Sequence, residues 1–297
     1  MDIIQLKDPK KIKAFIETAD YQVTSYLYKI PQQFAEFDHL LEEAIKTPGA
    51  FAISDNNQIK ALIIAISYET HKFKIIGPFI EPNFDVTPQL FQNLFNAMTE
   101  NQPDNAIYNF SFEEGVQTYK PFIKQIKASY NFTDYYLEAH QDIGELENEQ
   151  NIIEYQKGFH RAFAKMHHKT FKHDAMEADD IVNTLDENNK LFLFVSEGLL
   201  KGYLYLHVNP QKSKAEIKYF SSHIDYRMKG IAFDLLEYAL HYAFSHYELH
   251  KVYFKIRNKN SKLVERFNEL GFTTNYEYKK YKLEPQYIHE NATNPET

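Results

Sequence analysis

The stretch Arg227-Met228-Lys229-Gly230-Ile231-Ala232 has the residue types of an anion site. The residues before it read as a strand and those after it as an amphipathic helix, so the stretch opens a helix. The first turn of a helix carries unpaired N–H groups and a partial positive charge. Phosphates bind there for that reason. Gly230 lets the backbone approach an anion with no Cβ in the way, Ala232 keeps a nearby position small, and Arg227 and Lys229 add charge. A surface turn with one glycine and two cations would show the same letters. The flanking strand and helix favour the phosphate site.

The chain around this loop has 297 residues, enough for two domains. Hydrophobic residues at 43% and charged residues at 25% give a globular balance, not a disordered one. With 22 Tyr and 24 Phe but no Trp, aromatic rings must supply much of the core. The absence of Cys excludes disulfides, thiolate metal ligands and a Cys nucleophile, and fits a cytoplasmic protein. Met1 to Lys7 lacks the apolar core of a signal peptide, and no apolar run reaches membrane-spanning length. The glycosylation patterns at Asn131 and Asn291 therefore carry no weight. A net charge of −8 argues against a broad nucleic-acid surface, although Lys and Arg are dense from Lys251 to Lys262. No nucleic-acid or membrane partner is expected.

The elements that must position the loop repeat along the chain. In the first half, Ile3 to Leu6 reads as a strand, followed by a long helical region that includes the helical spacing of Phe34 to Ile45. Pro48-Gly49 ends it. Strands follow at Ala50 to Ser54, Ile59 to Tyr68 and Phe73 to Ile80. Leu90, Phe91, Leu94, Phe95 and Met98 mark a helix. Then come a strand at Ala106 to Phe112, a helix at Tyr119 to Tyr130 and a strand at Thr133 to His140.

The second half runs through helices at Gly158 to Phe171 and Ala178 to Leu185, then strands at Leu191 to Val195, Leu200 to Val208 and Ala215 to Ser222. The helix opened by the loop follows. A strand at Val252 to Arg257, a helix at Ser261 to Leu270 and a strand at Phe272 to Leu283 complete the half. Setting Asn83-Phe84 against Asp225-Tyr226 brings Phe91 onto Phe233 and Leu94 onto Leu236, as a duplicated fold would. The expected class is α/β (α+β), with a mixed, mostly antiparallel twisted sheet flanked by helices in each half. Domains are expected at residues 1–143 and 151–285, linked through the acidic stretch Asp142 to Gln150, with a disordered tail at 286–297.

The second half resembles the GCN5-related N-acetyltransferase (GNAT) superfamily. That family's signature, Arg/Gln-x-x-Gly-x-Gly/Ala, is met by Arg227, Gly230 and Ala232, preceded by Ile224-Asp225-Tyr226. Downstream, Asn260 stands in the family's Asn position and Gly271-Phe272 closes the following helix. The resemblance covers about Asn151 to Glu284. It implies that the N–H groups of Met228, Lys229, Gly230, Ile231 and Ala232 cradle the pyrophosphate of acetyl-CoA as co-substrate. It further implies that Phe220-Ser221-Ser222 splay from Val252 to Ile256 and leave a gap for the pantetheine arm. The acetyl group would pass directly to a primary amine of a small molecule or peptide, without a metal.

Such a reaction needs a base for the amine proton. Glu216 is the first candidate, because several family members place a carboxylate on this strand; His223 and Asp225 come after it. The family's general acid is the Tyr of Tyr-x-x-x-Gly-Phe, and here that position is Phe267, which has no proton to give. Tyr276 is the first substitute considered, with Tyr278 or water as others.

The first half departs from the pattern. In the repeat alignment Asp85 faces Arg227 and Pro88 faces Gly230. One change brings a negative charge and the other removes an N–H, so the first half is expected to be a degenerate copy that binds no donor. Pro78 and Pro82 point to an altered end of its strand. His167, His168 and His173 do not have metal-site spacing and read as surface histidines. Phe267 keeps open a second reading, a non-catalytic acyl-CoA-binding or regulatory protein. A third, transfer from charged tRNA, is opposed by the net charge and the intact loop. The acceptor is not specified by the sequence; an acidic surface slightly favours a cationic one such as a polyamine, an aminoglycoside or a lysine side chain.

Overall fold

The computed structural model describes residues 1–27, 38–115, 118–141, 149–171, 175–226, 230–257 and 261–284. Two compact units emerge. The first holds Met1–Thr133 and the chain from Tyr278 on; the second is Asp134–Glu277.

Both halves of the chain run through one order of elements. The first half contains β1 (Asp2–Leu6), α1 (Pro9–Ile16), α2 (Asp38–Ala44), β2 (Gly49–Asp55), β3 (Gln58–Glu69), β4 (Lys72–Ile80), α3 (Pro88–Thr99), β5 (Ile107–Glu113), α4 (Lys120–Gln125) and β6 (Ser129–Ala139). The second contains β7 (Ile152–Glu154), α5 (His160–Thr170), α6 (Ala178–Asn183), β8 (Asn189–Ser196), β9 (Leu199–Asn209), β10 (Lys214–Ser222), α7 (Ile231–His246), β11 (Lys251–Arg257), α8 (Ser261–Glu269) and β12 (Thr273–Leu283). The expected duplication of a fold is present, although the sequence reading passed over β7, a strand of three residues.

Within the first unit the strands lie in the order β1-β2-β3-β4-β5, and residues 278–283 of β12 pair with β5. Within the second they run β11-β10-β9-β8-β7, and residues 134–139 of β6 pair with β11. Neighbours are antiparallel except β4 with β5 and β10 with β11. The expected limits at 143, 151 and 285 therefore differ from the compact units. The last strand of each half is divided between the units: residues 134–139 of β6 pair with β11, and residues 278–283 of β12 pair with β5.

Alternation along the strands sorts side chains to two faces. On β9, Leu204, Leu206 and Val208 pack with Leu235, Leu236, Ala239 and Leu240 of α7. Tyr203 and Tyr205, on the opposite face, pack with Phe163, Met166 and Ile181 of α5 and α6. The first unit is built likewise, with Phe91, Leu94, Phe95 and Met98 of α3 on one face and Ile12, Ile16, Leu41 and Ala44 on the other. Aromatic rings fill these layers, as the composition requires.

One element is shorter than the sequence suggests. The helix expected from Tyr119 to Tyr130 ends at Gln125. Lys127 takes a left-handed conformation (φ 59°), and the Ala128 amide returns to the Ile123 carbonyl at 3.1 Å. That closure ends the helix and releases Ser129 into β6. The helical spacing of Phe34 to Ile45 yields α2 from Asp38; residues 34–37 and the 285–297 tail lie outside the described residues. Among the described residues, no helix is long and apolar enough to cross a membrane.

Gly202 on β9 sets how closely α7 approaches the sheet. A Cβ there would stand 2.7 Å from Ile231 Cγ2 and 3.1 Å from Leu235 Cδ1. Gly202→Ala should destabilise the protein by about 1–3 kcal/mol through overpacking. Thermal unfolding checks this: an unchanged melting temperature would show that α7 yields without cost.

Candidate functional site

β10 and β11 run side by side for three residues only. Their parallel register is Lys214↔Lys251, Ala215↔Val252 and Glu216↔Tyr253, yet β10 continues to Ser222 and β11 to Arg257. The other edge of β10 stays paired with β9 through Ser222↔Gly202, with a register shift between Ile217 and Tyr219. A bulge bends a strand and increases its local twist. This one turns β10 away from β11, so among the described residues the backbone groups of Ile217 to Ser222 on that side have no partner on β11. The splay expected around Phe220 to Ser222 is present and starts at Ile217. Phe220 lines one face of it, edge-on to Phe254 and Phe267. The buried Ser221 hydroxyl lies 2.9 Å from the Thr170 hydroxyl.

The open end of the splay leads to α7. Gly230 stands at its N-cap with φ +83°, a conformation that favours glycine. Its carbonyl accepts from the Phe233 amide at 2.7 Å and the Asp234 amide at 3.1 Å. The amides of Ile231 and Ala232 come before these, in the turn where a helix has no internal acceptors. Gly230 itself brings no capping side chain, and among the described residues a Cβ built on it would meet nothing within 4 Å. Among the described residues, the helix start is therefore open to an anion. Asp234 in the first turn has the wrong sign for a phosphate, which puts the weight on the backbone amides. Arg227, Met228, Lys229 and Asn260 lie outside the described residues.

At the closed end of the splay stands Glu216, half-buried in the last paired register. The Tyr253 hydroxyl hydrogen-bonds to it; burial first, and then the Glu216 charge, raise the pKa of this phenol. Tyr253 stacks on Tyr136, with ring centroids 5.0 Å apart. Glu138, buried on β6, pairs with Lys251 and accepts from Asn275 Nδ2 at 2.7 Å. Tyr253 and His207, which also faces Glu216 in the strand register, were not singled out from sequence. The signal for them is the register itself, which becomes readable only once the strands are paired.

The other proton-transfer candidates sit elsewhere. Tyr276 meets the edge of Tyr136, and β6 and β11 separate its strand from β10, so it is not brought to Glu216. Tyr278 belongs to the first unit. His223 and Asp225, 3.4 Å apart, lie beyond the end of β10 towards α7, at the open end of the splay. Phe267 is fully buried against Phe220, Phe233 and Phe254, a core position with no hydroxyl to offer.

His167 corrects the surface reading. It is 3% exposed, donates through Nε2 to the Met176 carbonyl at 2.8 Å and accepts at Nδ1 from the Tyr203 hydroxyl at 2.6 Å. Its ring also packs against Phe163, Phe171 and Tyr219. The helical face, rather than the run of histidines, decides burial: His168, the next residue, is exposed. His173 lies outside the described residues, among which no three His, Cys, Asp or Glu side chains gather as a metal set.

The first half has the same two features in closed form. β4 pairs in parallel with β5 only from Lys72↔Ile107 to Lys74↔Asn109, so these strands also part. The chain itself fills the gap. Asp20 bridges Ile80 and Ser25 bridges Gly77, both antiparallel. The Tyr26 amide donates to the Ser111 carbonyl at 2.7 Å, the Ser111 amide to Ser25 Oγ at 2.9 Å, and Thr24 Oγ1 to the Pro78 carbonyl at 2.9 Å. The helix end is closed too: the Thr87 hydroxyl accepts from the Leu90 amide at 3.3 Å, and Pro88 has no amide to give. Aligning helix starts sets Thr87, not Pro88, opposite Gly230, a slip of one residue from the sequence alignment.

Residues 142–272 match the family model described as Acetyltransferase (GNAT) family. No curated protein matches the chain in sequence. Among solved structures, a GCN5-related N-acetyltransferase from Sphaerobacter thermophilus aligns with a TM-score of 0.69 at 12% identity, covering 95% of this chain and 96% of that one. A tandem GNAT protein from the clavulanic acid biosynthesis pathway aligns at 0.59 and 9% identity, covering 100% and 99%. A GNAT-family acetyltransferase from Colwellia psychrerythraea aligns at 0.57 and 13%, covering 96% and 100%. At these identities the structural likeness shows the fold, and this is the GNAT fold through both halves. The family match is confined to residues 142–272, which lie almost wholly in the second half.

Burial lowers the pKa of His167 from its ordinary value of 6.5, and that of His207 shifts the same way through burial and then Lys218. A base whose folded pKa is depressed takes up its proton preferentially in the unfolded chain. Stability should be complete above about pH 7 and fall as pH drops through 6.5. Melting temperatures from pH 8 to 5 should show this fall, and His167→Gln should flatten it. A melting temperature that holds steady or rises on acidification contradicts the assignment.

Proposed function

We propose that the second half, a domain of the acetyltransferase (GNAT) family, transfers an acetyl group from acetyl-CoA directly to a primary amine. The observation that carries this reading is the join between a helix start at Gly230, in a left-handed conformation with no capping side chain of its own, and a strand gap that closes at Glu216. The pyrophosphate rests on the Ile231 and Ala232 amides. The pantetheine arm lies along β10 and uses the backbone groups that β11 leaves free. From Ile217 to Ser222 that path is about 20 Å long at 3.3 Å per residue. The thioester then lies at the closed end, beside Glu216.

There the amine attacks the thioester carbonyl and a C–N bond forms. Glu216 takes the ammonium proton, the tetrahedral intermediate collapses, and the C–S bond breaks. Phe267 leaves no family acid for the departing sulfur. A thiol with a pKa of about 8.5 leaves readily as the thiolate, so the loss of that acid is tolerable. The first half, with its gap filled and its helix capped, takes no donor. It is a degenerate copy.

The test is CoA release from acetyl-CoA against an amine library. One class of amine should give release, and Glu216→Gln should lower kcat by about 10²–10⁴-fold with donor affinity unchanged. Tight acetyl-CoA binding without CoA release from any amine would favour the non-catalytic reading that Phe267 supports. If Glu216→Gln kept full activity, Glu216 would not be the base.

A further inference from the structure

We infer that Tyr253 is a positioning residue for Glu216, acting within a row of polar side chains laid across the sheet of the second unit. This rests on the acyltransferase reading of that unit. The row follows from strand register: Asn189 on β8 faces His207 on β9, His207 faces Glu216 on β10, Glu216 faces Tyr253 on β11, and Tyr253 faces Glu138 on β6. Residues directly opposite in neighbouring strands have Cβ atoms about 4.5–5.5 Å apart on one face. This line of side chains crosses the sheet at the last register before β10 and β11 part. It runs through the closed end of the splay.

Each member has a defined place. His207 Nδ1 donates to Asn189 Oδ1 at 2.7 Å. Burial first, and then Lys218, lower the pKa of this imidazole and so favour its neutral form. Glu138 is held from the other side by Lys251 and Asn275. Tyr253 sits between the two carboxylates and hydrogen-bonds to Glu216. Lys214 and Lys218 flank Glu216 on its own strand, and the Lys214 ammonium lies 5.7 Å from the Tyr253 ring centre. A hydrogen bond donated to the ionised carboxylate favours that form and fixes its direction. A base pinned in this way is ready for an amine at the end of the gap.

Burial first, and then the neighbouring Glu216 carboxylate, raise the Tyr253 phenol above its ordinary value of 10. The phenol keeps its proton and uses it to hold Glu216.

The test reads Glu216 itself and needs no acceptor. In the full-length protein with ¹³C-labelled glutamate, the Glu216 carboxyl signal is assigned by its loss in Glu216→Gln. Tyr253→Phe should displace that signal, because a hydrogen bond donated to the carboxylate is lost. Incorporating 3-fluorotyrosine at position 253, which keeps the ring and strengthens the hydroxyl as a donor, should displace it in the opposite direction. Tyr253→Phe should also lower kcat for acetyl transfer, with acetyl-CoA affinity unchanged. The inference is overturned if the Glu216 signal is the same in all three proteins. Because the signal is read without turnover, a failed transferase reading and a failed Tyr253 role remain distinguishable.

Discussion

Parallel pairing between β10 and β11 lasts three residues, and the candidate site depends on where it stops. The shift between Ile217 and Tyr219 keeps β10 bound to β9 while turning it from β11. That turn exposes backbone hydrogen-bonding groups along one strand edge, which are costly to leave unmet unless water or a ligand meets them. It also leaves Glu216 and Tyr253 side by side at the closed end and directs the open end towards the start of α7. Gly202 permits the helix to sit close against the sheet, so its first amides lie at the mouth of the gap. The helix end supplies charge complementarity and the strand edge supplies length. The proposed acyl-CoA site needs both.

The first half shows what the same fold becomes when both features are closed. Its parallel pair is equally short, yet Asp20 to Tyr26 run into the gap and take up its hydrogen bonds. Thr87 and Pro88 settle the helix start internally. No rearrangement of the core is needed for this. Duplication therefore leaves one half with an open edge and the other with a self-filled one, and the difference resides in a handful of polar contacts over a similar aromatic core.

Most of the elements were legible in the sequence because their apolar spacing is strong, as in Phe91, Leu94, Phe95 and Met98 of α3. Gly230 was legible because it stands between a strand and an amphipathic helix, beside Arg227 and Lys229. The limits of the elements were less so: Lys127 ends α4 through a left-handed turn that its side chain does not announce. The division of β6 and β12 between units depends on long-range pairing, which leaves no local mark. By residue type His167 belongs with its exposed neighbour His168; helical phase is what buries it. The filled gap in the first half lies in a segment, Asp20 to Tyr26, with no motif at all. The partners of Glu216 needed register, and a shift of one residue would have turned them to the opposite face.

The central claim is that this chain has one open donor site, at Gly230. Calorimetric titration of the full-length protein with acetyl-CoA tests it most directly. One equivalent should bind per chain, and Gly230→Asp should abolish binding by placing a carboxylate where the pyrophosphate rests. Two equivalents, or one that survives Gly230→Asp undiminished, would contradict it.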